Sequence, residues 1–175
     1  MSDTITTERL VMRPPARADF EDCAALWAHT DVVRYLGLAK PSTREEAWAR
    51  LNRYVGHWAM QGYGFWAVRE RDGGRYVGEI GVADFKRDLD PSLSGALEMG
   101  WILSPSAWGK GYATEAVRAG VAWCSPRFPD ERLMCLIDPD NGASLRVAAR
   151  CGFKEYARTF YKDTEVLLLE RRLNK

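Results

Sequence analysis

The stretch Trp108-Gly109-Lys110-Gly111-Tyr112-Ala113-Thr114-Glu115-Ala116 brings two glycines, a lysine and the opening of a helix together. Glycine accepts positive φ and lets the backbone approach a ligand with no Cβ in the way. The N–H groups of such a turn, and those of the helix start behind it, lack chain partners and favour an anion. Just upstream, Leu97, Met99, Trp101 and Leu103 alternate with Ala96, Glu98, Gly100 and Ile102, the period of a strand. Ser104-Pro105 stops it. Downstream, Ala113, Ala116, Val117, Gly120, Val121 and Cys124 share one helical face. The local order is strand, phosphate-type turn, helix.

Spacing narrows the kind of turn. A Walker A loop requires Gly-x4-Gly-Lys-Ser/Thr, which the chain lacks, and a dinucleotide fingerprint requires a third glycine where Thr114 stands. Elsewhere the hydrophobic period switches several times, which predicts an α+β or α/β architecture. Thr7 to Arg13 reads as an opening strand closed by Pro14-Pro15. Phe20, Cys23, Ala24 and Trp27 form one helical face. Ser42 with Glu45 reads as a capping box ahead of the stripe Ala47, Trp48, Leu51, Tyr54, Val55 and Trp58. Strands are predicted at Gly64 to Glu70 and Arg75 to Phe85 around Asp72-Gly73-Gly74, with a polar loop over Lys86 to Ser94 beside the substrate. Arg132 to Ile137 is a further strand. Asn141-Gly142-Ala143-Ser144 opens a helix that Gly152 stops, and Lys154 to Tyr161 and Glu165 to Leu173 close the chain as strands.

A chain of 175 residues suits one domain, residues 1–175, with a core large enough to need no disulfide or metal. Lys plus Arg (25) nearly balances Asp plus Glu (24), so no overall field draws the protein to nucleic acid or to an anionic membrane. Any anion must be held locally. No long apolar run or signal segment is apparent, and a cytoplasmic location is expected. Cys23, Cys124, Cys135 and Cys151 are widely spaced and read as small buried apolar residues rather than metal ligands or nucleophiles.

From Trp101 to Ala116 the chain resembles the acyl-CoA-binding motif of the GNAT superfamily of N-acetyltransferases, Gln/Arg-x-x-Gly-x-Gly/Ala after a splayed strand. Thr7-x-Arg9-Leu10-x-x-Arg13, Asp31-Val32-Val33-Arg34-Tyr35-Leu36 and Asn141-x-x-Ser144-x-Arg146-x-x-x-x-Cys151-Gly152-Phe153 extend the likeness to the subgroup with the Rim-type ribosomal-protein N-terminal acetyltransferases. It runs from about Thr7 to Leu173. Trp108 departs from the motif, standing where Gln or Arg is usual. The resemblance implies a mixed, mostly antiparallel central sheet of about six or seven strands, flanked by about four helices and splayed at the cofactor strand. It also implies acetyl-CoA as cofactor.

Acetyl transfer to an amine needs a base, a donor to the developing oxyanion and a proton for the departing thiolate. The resemblance sets the backbone of Trp101, Ile102 and Leu103 along the pantetheine arm. It sets Trp108, Gly109, Lys110, Gly111, Tyr112, Ala113 and Thr114 around the pyrophosphate, with Asn141, Ser144 and Arg146 also on the cofactor. Glu98 is the expected base, acting through a water. Ser144 is the expected thiolate acid, with Tyr112, Tyr156 and Tyr161 as other acids, while Arg118 and Arg150 are further phosphate candidates. The acceptor is a primary amine, either a protein or peptide N-terminus or a small amine such as a polyamine, amino acid or aminoglycoside. Glu79, Asp84, Asp88, Asp90, Asp163 and Glu165 would suit a cationic one. An idle acyl-CoA-binding module is the alternative to an enzyme, and a homodimer is compatible with the many aromatics.

Overall fold

The computed structural model describes residues 3–38, 40–93 and 95–173. Ser94, the end of the expected polar loop, lies outside them. Eight strands form one sheet: β1 (Ile5–Thr6), β2 (Leu10–Arg13), β3 (Phe65–Glu70), β4 (Tyr76–Ala83), β5 (Ala96–Leu103), β6 (Arg132–Ile137), β7 (Lys154–Tyr161) and β8 (Thr164–Arg172). Their order across the sheet is β1-β2-β3-β4-β5-β6-β8-β7. Every pairing is antiparallel except β5 with β6.

The helices are α1 (Phe20–Trp27), α2 (Thr30–Val33), α3 (Arg44–Gln61), α4 (Tyr112–Cys124) and α5 (Gly142–Arg150). One sheet face meets α4 and α5 through Met12, Trp66, Ile80, Met99 and Leu133, with Ala116 and Val117 opposite. The other carries α1, α2 and α3 on Ala67 and Tyr76. Removing each such Leu, Ile or Met from water contributes roughly 1.5–3 kcal/mol. The four cysteines are free and buried in these layers. Burial pushes the Cys124 thiol up to about 12, which leaves it inert at neutral pH.

Sequence and structure part in three places. The opening segment is two strands because Thr7 turns the chain, its N–H donating to the Leu10 carbonyl and its Oγ1 accepting from the Leu10 N–H. This takes the sheet to eight strands. The short α2 adds a fifth helix. The capping box of α3 sits one residue later than expected: Thr43 Oγ1 accepts from the Glu46 N–H, and Glu46 Oε2 accepts from the Thr43 N–H at 2.7 Å. Ser42-Thr43-Arg44-Glu45-Glu46 holds two overlapping boxes, and the second forms while the Ser42 N–H, which the first would use, donates to the Trp27 carbonyl at 3.0 Å.

Candidate active site

The centre of the sheet comes apart at β5. Along β4 it pairs from Gly78↔Leu103 to Ala83↔Glu98, yet along β6 it pairs only at Ala96↔Arg132, Leu97↔Leu133 and Glu98↔Met134. The Ser104 N–H donates to the Val77 carbonyl on β4. Backbone groups alternate sides along a strand, so Trp101 and Leu103 direct theirs away from β4, toward the gap beside β6. A cleft of about 1100 Å³ opens there, large enough for an extended cofactor and an acceptor.

At one end the cleft meets the glycine turn. Gly109 (φ 72°) and Gly111 (φ 79°) both sit in the left-handed region. Gly111 is the N-cap of α4 and offers no side-chain cap, and the first intrahelical bond runs from Glu115 N–H to the Gly111 carbonyl. The N–H groups of Tyr112, Ala113 and Thr114 therefore have no intrahelical partner and lie at the cleft. Trp108 lines it half-exposed, and its indole N–H donates to the Leu103 carbonyl at 2.9 Å, tying turn to strand. Behind the turn, Arg9 donates from Nη1 to the Lys110 carbonyl and from Nε to Glu115, which also accepts from Thr7 Oγ1 at 2.6 Å. Burial pushes the Glu115 carboxyl up, but the bonds from Thr7 and Arg9 outweigh it and hold it below the usual carboxylate range.

The start of α5 lines the same cleft. Asn141 Oδ1 caps the helix by accepting from the Ser144 N–H at 3.1 Å. Ser144 Oγ in turn accepts from the Trp101 indole at 3.3 Å, leaving the hydroxyl proton free. Arg146 lines the cleft and folds back toward Gly142.

On the α3 side stands Glu98, bound on both oxygens by Arg87, with Nε to Oε2 at 2.6 Å and Nη2 to Oε1 at 2.8 Å. Arg87 stacks over the rings of Phe85 and Tyr161, at 4.9 and 4.6 Å. A carboxylate offers about four lone-pair sites, so two remain for a water or an amine. His57 completes this wall: Nδ1 lies 2.7 Å from the Tyr63 carbonyl and Nε2 accepts from the Asp84 N–H at 3.1 Å, which sets the Nδ1–H tautomer.

Residues 9–154 match the profile of the acetyltransferase (GNAT) domain. The chain belongs to the GNAT acetyltransferase family. A solved structure assigned to that family from Bordetella pertussis is 30% identical, with TM-score 0.85 over 97% of this chain and 99% of its own. Two others share the fold. One, assigned as a ribosomal-protein-serine acetyltransferase from Vibrio cholerae, is 19% identical with TM-score 0.76 over 98% and 99% of the two chains. Spermidine N-acetyltransferase from Vibrio cholerae, solved in complex with CoA and spermine, is 14% identical with TM-score 0.75 over 94% and 96%.

Within this GNAT chain, all the site residues expected from the sequence except Lys110 line the one cleft. Lys110 instead presents its carbonyl to Arg9. Among the other acids, Tyr112 donates its hydroxyl to Glu70 at 2.9 Å, and that bond raises its pKa. Tyr156 is off the cleft with its hydroxyl toward Met134, and only Tyr161 of the remaining two lines the wall beside Arg87. Arg118 donates to the Arg150 carbonyl, and Arg150 lines the cleft. Glu79, expected near an acceptor, is buried under α1, accepting from Trp27 Nε1 at 2.9 Å and the Tyr76 hydroxyl at 3.1 Å. Burial raises its pKa against those bonds.

Two arginines of the cleft, Arg87 and Arg50, are not among the residues expected from the sequence. Arg87 meets Glu98 from a polar loop with no period to mark it. Arg50 did carry a signal: it stands three residues after Ala47 and four before Tyr54, so it is a charge beside an apolar stripe.

Among the described residues no helix is long and apolar enough to cross a membrane.

Proposed function

We propose that this GNAT protein transfers the acetyl group of acetyl-CoA to a primary amine, with the N-terminal α-amine of a protein or peptide as the leading acceptor. The observation that carries the reading is the gap between β5 and β6, with the N–H groups of Trp101 and Leu103 facing it and the glycine turn closing one end. The cofactor fits this setting chemically. Unpaired backbone donors stand at the N-terminus of α4 for a pyrophosphate, and a strand edge stands open for an amide-bearing arm.

Bound there, acetyl-CoA supplies an activated acetyl carbonyl on a thiol leaving group. The residues then divide the remaining work. Tyr112, Ala113 and Thr114 would hold the cofactor's phosphates by their N–H groups, with Arg146 adding charge from α5. Trp101 and Leu103 would offer N–H groups along the strand edge to the cofactor's arm and to the oxygen that gains charge. Glu98 takes the amine's proton through a water on a lone pair that Arg87 leaves open. Arg87 fixes the carboxylate plane through its two bonds. Ser144, oriented by the Trp101 indole, keeps its hydroxyl proton available for a thiolate. Asn141 holds the start of α5 and with it Ser144.

Mass spectrometry of amine panels incubated with acetyl-CoA tests the reading. An acetyl adduct on at least one amine class, formed by the wild type and lost in Glu98→Gln, is the expected result. Acetyl-CoA binding with no adduct on any amine would instead mark an idle binding module.

A further inference from the structure

The α3 side of the cleft holds a donor with nothing to bind. Arg50 Nε is, among the described residues, the single buried side-chain nitrogen or oxygen without a hydrogen-bond partner. Buried donors in native proteins are nearly always satisfied, so this one marks a guanidinium left without a fixed partner on a side chain that lines the cleft. Its guanidinium carbon lies 3.4 Å from the ring centroid of Trp27, which fixes the plane of the fork. The nearby carboxylates are occupied otherwise. Glu79 is turned to Trp27 and Tyr76, and Glu46 serves the cap at Thr43.

Arg53 follows three residues later on the same side of α3, lines the same cleft and rests on the rings of Tyr54 and Phe85, at 5.9 and 5.2 Å. Neither arginine makes an ion pair within 4.0 Å among the described residues, and the only buried carboxylate on which Arg50's charge acts, Glu79, is already held by Trp27 and Tyr76. Of the other cleft cations, Lys86 is matched by Asp84 and Arg87 by Glu98, whereas Arg34, Arg146, Arg150 and Lys162 lie on other elements and, like Arg50 and Arg53, make no ion pair among the described residues. Two guanidinium groups without an ion-pair partner, both beside aromatic rings, suit the planar geometry of a carboxylate.

We infer that Arg50 and Arg53 form an anion subsite at the acceptor end of the cleft, so that the acetylated amine carries a carboxylate close to it. The inference rests on the transferase reading above and adds the acceptor's chemistry. A free α-amino acid and a peptide N-terminus with an acidic residue near its start both present that group. A polyamine presents its opposite.

The test compares matched acceptors: α-amino acids against their carboxamides, peptide amides with aspartate against asparagine as the second residue, and spermidine. Wild-type kcat/KM is expected to favour the carboxylate member by about tenfold or more in one arm, and that arm identifies the source. Arg50→Gln should collapse the ratio toward one through KM, Arg53→Ala should reduce it, and Arg50→Lys should restore part of it. Calorimetry with the N-acetylated carboxylate and its amide reads the subsite without turnover, and the wild type should bind the carboxylate form about tenfold more tightly. Equal treatment of the pair by wild type in both measurements, or preference for spermidine, would overturn the subsite. Turnover without preference would leave the transferase reading standing, whereas carboxylate-selective binding without any turnover would leave the subsite standing and remove the transferase reading. Should Arg50→Gln fail to fold, the exposed Arg53→Ala carries the comparison.

Discussion

Glu98 and Arg87 show what a single residue can and cannot disclose. Strand alternation was enough to put Glu98 on the face away from Leu97, Met99 and Trp101, because side chains alternate at period two whatever the fold. Its guanidinium partner comes from a loop whose path is set by tertiary packing, so nothing in the local pattern announced it. Glu98→Gln is expected to lower kcat by about 100-fold or more, the usual contribution of a positioned base, while calorimetry shows acetyl-CoA binding retained. Asp19 gives a structural counterpart. Almost fully buried, it accepts from Arg13 at 2.7 and 2.8 Å and from Arg69 at 3.0 Å. Burial pushes its carboxyl up, but the bonds from Arg13, the Ala16 N–H and Arg69 outweigh it, so its pKa is lowered on folding. A depressed folded pKa contributes stability above the unfolded value, near 3.9, that is lost as pH falls through the folded value. Asp19→Asn should cost about 2 kcal/mol at pH 7, discounted for the partly exposed arginines, and the gap in denaturant midpoints should narrow below about pH 4.

At the scale of elements, the strand, turn and helix around Gly111 were legible because each is specified by neighbours in sequence. The cause of the glycine requirement is sharper in three dimensions. A Cβ at Gly111 would meet only Arg9 Nη2 at 3.5 Å, so the constraint is the left-handed φ of 79° and not crowding. Gly111→Val should then cost about 1–2 kcal/mol and weaken acetyl-CoA binding in calorimetry, while Gly111→Asn, which tolerates that φ, should be milder in both. Equal effects of the two would point to steric exclusion instead. Trp108, the departure from the family motif, restores a polar link by another route, through its indole and the Leu103 carbonyl. Trp108→Phe should loosen the turn and raise KM for acetyl-CoA with little change in kcat. The caps of α3 and α5 were within reach of sequence reasoning to one residue, since capping depends on spacing of three.

At the scale of the whole molecule, the mixed, mostly antiparallel sheet splayed at the cofactor strand was legible through the family resemblance and not through any local pattern. Which strands lie side by side, and that β8 inserts between β6 and β7, depend on pairings between residues far apart in the chain. The gap beyond Glu98↔Met134 arises from the divergence of two strands joined through α4, and no local pattern encodes it. That divergence brings the starts of α4 and α5, the edge of β5 and the Glu98 wall onto one cleft. Three separate stretches of sequence, β5 with Glu98 and the starts of α4 and α5, thus line one cleft together with Arg50 and Arg53 of α3. Amine-dependent release of free thiol from acetyl-CoA is the most direct measure of the transfer. With purified protein and a suitable primary amine, thiol should appear in step with acetylated amine and fall away in Glu98→Gln. Thiol release at the same rate with and without any amine, or none at all from a protein that binds acetyl-CoA, would contradict it.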